Sequence, residues 1–300
     1  MVIKFIDSFL NKITMYRLVL YCLVFLWVVG LIISFLNVIP FEPLDLIISS
    51  AIIYASCIIA NIVFEKIFRA PSNPESTYIT ALILSLVVGP EKTVSGYFLL
   101  VILSLMAISS KYLLAFKKKH IFNPAAFGIV ISTYAINYYP SWWIGDINMI
   151  WPVLAVGLLM ARKLQRFDMV LSFFLVYIIT SIGSLTSLQH FSTSFNNLFA
   201  YSPVLFFAFI MLTEPSTTPP TRILRIIYGS LVALLMAPFI HIGAIYFSPE
   251  LALLAGNAFS FLVSPKIKLL LTLKEKKEIA KNTYEFIFSK DKNLSFKAGQ

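Results

Sequence analysis

Charge is scarce in this chain. Asp, Glu, Lys and Arg make up 13% of its 300 residues, whereas apolar and aromatic residues make up 59%. A soluble domain carries roughly 25% charged and about 45–50% apolar residues. So thin a polar share excludes an ordinary water-soluble enzyme, and the length is read as a number of membrane spans. Acidic residues are the scarcer sign, 14 against 24 basic ones, for a net charge of +10. That excess does not point to nucleic acid. Nine of the 24 fall after Ser264, and nearly all the others sit between apolar runs, where they orient a chain in a membrane. The lipid bilayer is the expected partner, and no nucleic acid.

Cysteine and histidine are scarce too. Cys22 and Cys57 lie inside apolar runs with no C-x-x-C spacing, so neither a disulfide nor a metal site is expected. Buried structural thiols are the plain reading; half of an iron–sulfur site shared with a partner is the competing one. Of His120, His190 and His241, only His241 falls within an apolar run. Bis-histidine haem needs axial pairs on facing helices, so no haem is expected. A lone His241 in the ninth run reads as a hydrogen-bonded interior residue. The N-terminus carries Lys4, Lys12 and Arg17 but no small-residue cleavage site, and residues 1–16 read as a retained cytoplasmic segment.

Apolar runs are abundant. A hydrocarbon core of ~30 Å needs about 20 apolar residues per helix. Long runs fall near 17–38, 45–64, 94–116, 167–187 and 223–247, and shorter ones near 77–89, 124–139, 148–161, 197–213 and 250–264. Together they make ten. With the N-terminus cytoplasmic and sides alternating, the inner loops hold Lys66 and Arg69, Lys117 to Lys119, Arg162, Lys163 and Arg166, Arg222 and Arg225, then Lys266 and Lys268. The outer loops hold only Lys92. Dropping any short run scatters these charges to both sides. The expectation is an all-α polytopic protein of the cytoplasmic (inner) membrane, with about ten transmembrane helices over 17–265 and both termini cytoplasmic. Lys111 is expected to snorkel to the inner surface, and Trp142 and Trp143 to anchor at the outer interface.

The short runs share a pattern. ESTYITALILSLVVGP (75–90) and AYSPVLFFAFIMLTEP (200–215) each end in Pro and each come third in a block of five. NPAAFGIVIS (123–132) and GNAFSFLVSP (256–265) each come fifth and open at an Asn. Five is odd, so the two blocks would be inverted five-helix repeats, whose interrupted helices mark a central site. The competing reading is that Asn and Pro merely cap helices.

MLTEPSTTPPTR (211–222) is the densest polar cluster beside a run, with Glu214 at its start. Its prolines free backbone groups, which at membrane depth only protein or a water-filled cavity can satisfy. A tight surface loop is the plainer alternative. In HIFNPAAFGIV (120–130), Asn123 caps a helix with Pro124 at its first position. Such an end offers N–H groups to an anion or an electron-rich ring edge. Asn257 takes the matching place in the second block.

FNPA in the fifth run, LTEP with its Ser/Thr/Pro sequel after the eighth, and ALLAGNAFSFLVSP in the tenth resemble the core shared by two related ion-pump components. These are the flavin-bearing membrane subunits of the sodium-pumping (Na+-translocating) NADH:quinone reductase and of the Rnf ferredoxin:NAD oxidoreductase, an electron-transport complex. The 75–90 run resembles that family's polar-start helix, and the likeness covers roughly 17–265. It implies a ten-span flavoprotein carrying electrons through the membrane. By motif, Ser76, Thr77, Asn123, Pro124, Thr213, Glu214, Pro215 and Asn257 would shape its flavin pocket or the gate beside it; no catalytic residue is singled out. Glu214 stands where the family more often has Asp. The family's covalent FMN sits on a Thr of a long outer segment between the fifth and sixth spans. Here that segment is YYPSWWIGD (138–146), without a Thr. No covalent FMN is expected, and a non-covalent FMN or riboflavin stays open.

The closing KIKLLLTLKEKKEIAKNTYEFIFSKDKNLSFKAGQ is polar and alternates like two strands, near 267–276 and 283–289. It is similar to the start of a ferredoxin–NADP reductase-type FAD domain, with Phe296, Ala298, Gly299 and Gln300 matching its F-x-P/A-G-Q motif. Residues 266–300 then read as the truncated start of a β-barrel. Two strands cannot bury a core of their own, so this segment is expected to be mobile or misplaced. The implied function is membrane-embedded, flavin-dependent electron transfer from a cytoplasmic NAD(P)H/FAD reductase domain. Quinone or an outer-face redox protein would be the acceptor, and NAD(P)H would act only with the whole reductase domain. A transporter or channel, or a cofactor-free membrane anchor for the reductase, are the alternatives.

Overall fold

Helix starts in the first half of the chain are written in short polar side chains. Thr14, Asn73, Thr93 and Asn123 each accept a hydrogen bond from the backbone N–H three residues on, and Pro opens helices at 43, 74 and 124. The computed structural model describes residues 7–8, 10–70, 73–116, 119–183, 203–243, 245–265, 271–281 and 283–290. Its helices are α1 (Met15–Phe35), α2 (Pro43–Phe68), α3 (Pro74–Val87), α4 (Val94–Leu113), α5 (Pro124–Ile136), α6 (Ile150–Leu164) and α7 (Phe167–Gly183). They continue with α8 (Val204–Phe206), which runs directly into a π-helical turn over Phe207–Met211, then α9 (Arg222–Leu235) and α10 (Pro249–Val263). Two-residue ribbons β1 (Ala115–Phe116) and β2 (Lys119–His120), and β3 (His241–Ile242) and β4 (Ile245–Tyr246), form antiparallel pairs. The chain divides into two units, Met1–Leu262 and Val263–Gln300.

The first unit is helical, and four of its described segments are long and apolar enough to cross a membrane: Met15–Phe35, Pro43–Phe68, Val94–Leu113 and Ile147–Leu164. That differs from ten full spans. α3, α5, α7 and α10 are apolar but shorter. The 14 residues of α3 reach about 21 Å, against a hydrocarbon core of ~30 Å. The run at 223–247 is helical only to Leu235, with Pro238 following shortly after. His241 therefore lies in β3, exposed, its Nδ1 2.8 Å from the Gly243 carbonyl, and not inside a helix. The run at 197–213 is described only from 203.

α3 ends inside the protein, and its last carbonyls are taken by the 141–143 segment. Trp143 Nε1 donates to Ser85 O at 2.9 Å, and Trp142 N to Val87 O at 2.7 Å. Trp142 Nε1 donates to the buried Glu250 at 2.8 Å. The two tryptophans are thus interior plugs for a broken helix end, correcting the interface-anchor expectation. The free C-terminal carbonyls of α3 need partners because unpaired backbone inside a protein is costly, and residues 141–143 supply them.

Apolar side chains also cover the outside. Phe25, Val28, Ile32 and Phe35 on α1 and Leu171, Leu175 and Ile179 on α7 are exposed at helical spacing. A hydrocarbon surround suits these faces. Inside, α4 and α5 cross closely at Gly128, where an added Cβ would lie 2.7 Å from Ala107 Cβ and 3.0 Å from its backbone. Gly128→Val should therefore lower stability by about 1–3 kcal/mol, read as an earlier thermal transition in detergent. An unchanged transition would mean that the two helices do not meet there.

In the second unit, β5 (Leu271–Ala280) pairs antiparallel with β6 (Thr283–Lys290), from Leu271↔Lys290 to Ala280↔Thr283. The expected pair of strands forms, the first running on to Ala280, past the end read from sequence. Tyr284, Phe286 and Phe288 form an aromatic row, with Lys276 Nζ 4.3 Å from the Tyr284 ring centroid. Phe296, Ala298, Gly299 and Gln300 lie outside the described residues.

Candidate functional site

Asn123, Glu214 and Asn257, far apart in sequence, meet in one hydrogen-bonded group. Asn123 Nδ2 donates to Glu214 Oε2 at 2.8 Å, and Asn123 N donates to Asn257 Oδ1 at 2.8 Å. Asn257 Nδ2 in turn donates to the hydroxyl of Tyr228 at 2.9 Å. Asn257 and Tyr228 are fully buried, and Asn123 almost so. Asn123 Oδ1 meanwhile accepts from Ala126 N at 3.0 Å, so one side chain caps α5 and binds the carboxylate.

Glu214 is the hub. Its Oε1 lies 3.0 Å from His120 Nε2, which the β1–β2 ribbon carries to the mouth of α5. Ser216 Oγ donates to Oε1 at 3.3 Å and Thr217 Oγ1 to Oε2 at 3.4 Å. Local sequence explains the pose. Thr213 Oγ1 donates back to Phe209 O at 2.7 Å within the π-helical turn, and Pro215 cannot continue a helix. The chain leaves the helix at Glu214 with the carboxylate turned inward.

A narrow cleft with about 40 Å³ of free space lies beside this hub. Its polar edge is Ser76, Thr80, Asn123, Thr213 and Glu214, and its walls include Tyr16, Ile79, Ile83, Met160 and Ile210. An apolar slot with few polar groups is the usual make-up of small-molecule sites, but those run to about 300–1,000 Å³, so a ligand of that size requires this cleft to open. No Lys or Arg lines it among the described residues.

A second cleft, of about 290 Å³, lies on the other side of Ser76 and is lined by Asn61, Thr77, Lys111, Tyr112 and His120 among others. Lys111 Nζ donates to Ser76 O at 2.9 Å and to Ser76 Oγ at 3.1 Å. It points inward, which corrects the snorkelling expectation: the carbonyl and hydroxyl at the start of α3 satisfy the ammonium within the protein. Tyr112 donates to Asn61 Oδ1 at 2.7 Å, and the buried hydroxyl of Thr77 has no hydrogen-bond partner among the described residues.

Of the eight residues singled out from sequence, Ser76, Asn123, Pro124, Thr213, Glu214 and Pro215 line the first cleft. Thr77 lines the second, and Asn257 stands behind Asn123 without lining either. Asn257 is also not a helix cap. α10 already begins at Pro249, with Ser248 Oγ accepting from Leu251 N at 3.3 Å, so Asn257 is mid-helix. A Ser-Pro-Glu start is a stronger helix signal than the later Gly-Asn pair. His120, Lys111 and Tyr228 were not placed in the site from sequence. Lys111 had a signal, a cation inside an apolar run; Tyr228 had none, one more aromatic on an amphipathic helix.

Cys22 and Cys57 are both buried and free. No family model matches the chain, and no curated protein matches it either.

Proposed function

We propose that this chain is a membrane-embedded, flavin-dependent electron-transfer module of the kind its motifs resemble. The membrane flavoproteins of the sodium-pumping NADH:quinone reductase and of the Rnf complex are the reference. In this reading the ten apolar runs are ten membrane segments in two inverted blocks of five, several of them half-helices that stop inside the protein. The first cleft holds a non-covalent flavin, and the flavin supplies the electron-carrying chemistry. The chain's residues position it: apolar walls exclude water from the ring faces, while Asn123, Thr213 and Ser76 offer hydrogen bonds to its edge. The observation that carries this reading is the meeting of Asn123, Glu214 and Asn257 beside a narrow, largely apolar cleft, which would open to admit the ring.

The lining favours riboflavin over FMN. With Glu214 at its edge and no Lys or Arg among the described residues of its wall, the cleft has nothing to offset a phosphate. Electrons would arrive from an NAD(P)H-reduced FAD domain continuing the β5–β6 hairpin and leave to quinone or an outer-face redox protein. A transporter is the second reading, favoured by the second cleft, where the half-buried Lys111 and the Thr77 hydroxyl, without a partner among the described residues, line a polar space.

The test is the absorbance spectrum of the detergent-purified chain, alongside a version ending at Pro265. Both should carry flavin absorbance, released by denaturation and chromatographing as riboflavin. A colourless protein in both cases removes the flavin reading and leaves the transporter.

A further inference from the structure

We propose that the basic cleft between the α6–α7 corner, the start of α9 and the N-terminal segment binds the phosphate of an anionic phospholipid headgroup. The cleft has a volume of about 630 Å³ and is lined by Arg162, Lys163, Arg222 and Arg225, with Asp7 and Asp168. Two of its cations are already paired. Arg162 Nε and Nη2 both donate to Asp7 at 2.8 Å, and Arg225 Nη2 donates to Asp168 at 2.6 Å.

The remaining cations are not neutralised. Lys163 Nζ donates to a backbone carbonyl, that of Leu10, at 2.6 Å. Arg222 is exposed and pairs with no carboxylate among the described residues. Arg166, between the lining residues Gln165 and Phe167, has a buried Nε without a hydrogen-bond partner among them. Burial, and then the neighbouring Arg225, disfavour the Arg166 charge, with Asp168 opposing them. Arginine nonetheless keeps its proton, and the lining itself carries four cations, Arg162, Lys163, Arg222 and Arg225, against Asp7 and Asp168, a surplus of positive charge. A phosphate monoanion offsets that surplus and offers the bidentate geometry a guanidinium prefers.

The neighbouring surface favours a lipid over free phosphate. Phe167 lines the cleft, and Leu171, Leu175 and Ile179 continue from it along one exposed face of α7. Ile223 adjoins Arg222 and is largely exposed. A headgroup in the cleft would therefore lay its acyl chains on an apolar track already present. Basic pockets at the ends of membrane helices take anionic headgroups in this way. The proposal rests on the membrane reading but not on the flavin.

The test is native mass spectrometry of the delipidated full chain, titrated with phosphatidylglycerol and phosphatidylcholine of equal acyl length. Phosphatidylglycerol should bind more tightly. R222Q should weaken it about fivefold, the equivalent of ~1 kcal/mol per cation, with phosphatidylcholine unaffected. Inorganic phosphate in excess should not displace the lipid. Equal binding of the two lipids overturns the proposal, as does an R222Q chain with unchanged preference; Arg222 is exposed, so that variant reads the site without disturbing the fold. Displacement by inorganic phosphate overturns the lipid assignment. A colourless chain that still selects phosphatidylglycerol sinks the flavin alone, and a yellow chain without selection sinks this site alone.

Discussion

Glu214→Ala is expected to strip the proposed flavin from the purified chain, with occupancy falling about tenfold or more, equivalent to ~1.4 kcal/mol of lost binding. The carboxylate accepts from Asn123 Nδ2 and stands 3.0 Å from His120 Nε2. Without it, both nitrogens need new partners, and Asn123 is released to turn into the cleft. An unpaired buried donor costs about 1–3 kcal/mol, so the protein should also melt earlier. Glu214→Gln separates the two effects. Its amide keeps the shape and one acceptor but directs an NH₂ group at a donor, so stability should fall less than in Glu214→Ala while flavin is still lost. Full flavin occupancy in Glu214→Ala would show that the cleft beside this residue is not the flavin site.

Asn257→Leu should produce the larger loss of stability, about 2–5 kcal/mol, from two orphaned buried groups at once. Asn257 accepts the Asn123 N–H and donates to Tyr228, all inside the core. Leucine is close enough to asparagine in size that the loss would be polar and not a cavity. The measurement is thermal unfolding in detergent, followed by residual flavin absorbance. A companion change, Tyr228→Phe with Asn257→Leu, removes one of the two unpaired groups and should recover part of the loss. A leucine variant as stable as the parent would mean that α10 does not support α5 through this contact.

Much of the fold could be read from residue order alone. Apolar runs, with Thr14, Asn73, Thr93 and Asn123 before them, place the first helices because capping and burial are local effects. The alternation in the tail likewise gives a two-stranded ribbon. Hydropathy could not tell a full span from a half one. α3 stops at Val87 because Trp142 and Trp143 are there to take its carbonyls, and those partners are more than fifty residues away.

The candidate site divides the same way. Sequence determined which residues were out of place among apolar neighbours: Asn123, Glu214, Asn257 and Lys111, each too polar to be left unpaired in a helix bundle. Tertiary structure alone decided whom each one pairs with. It put Asn257 mid-helix behind Asn123, turned Lys111 inward onto Ser76, and brought His120 to Glu214 on a two-residue ribbon. The physical reason is range. A side chain's need for a hydrogen bond is fixed by its own chemistry, while the atom that meets the need is set by how helices on the order of a hundred residues apart pack.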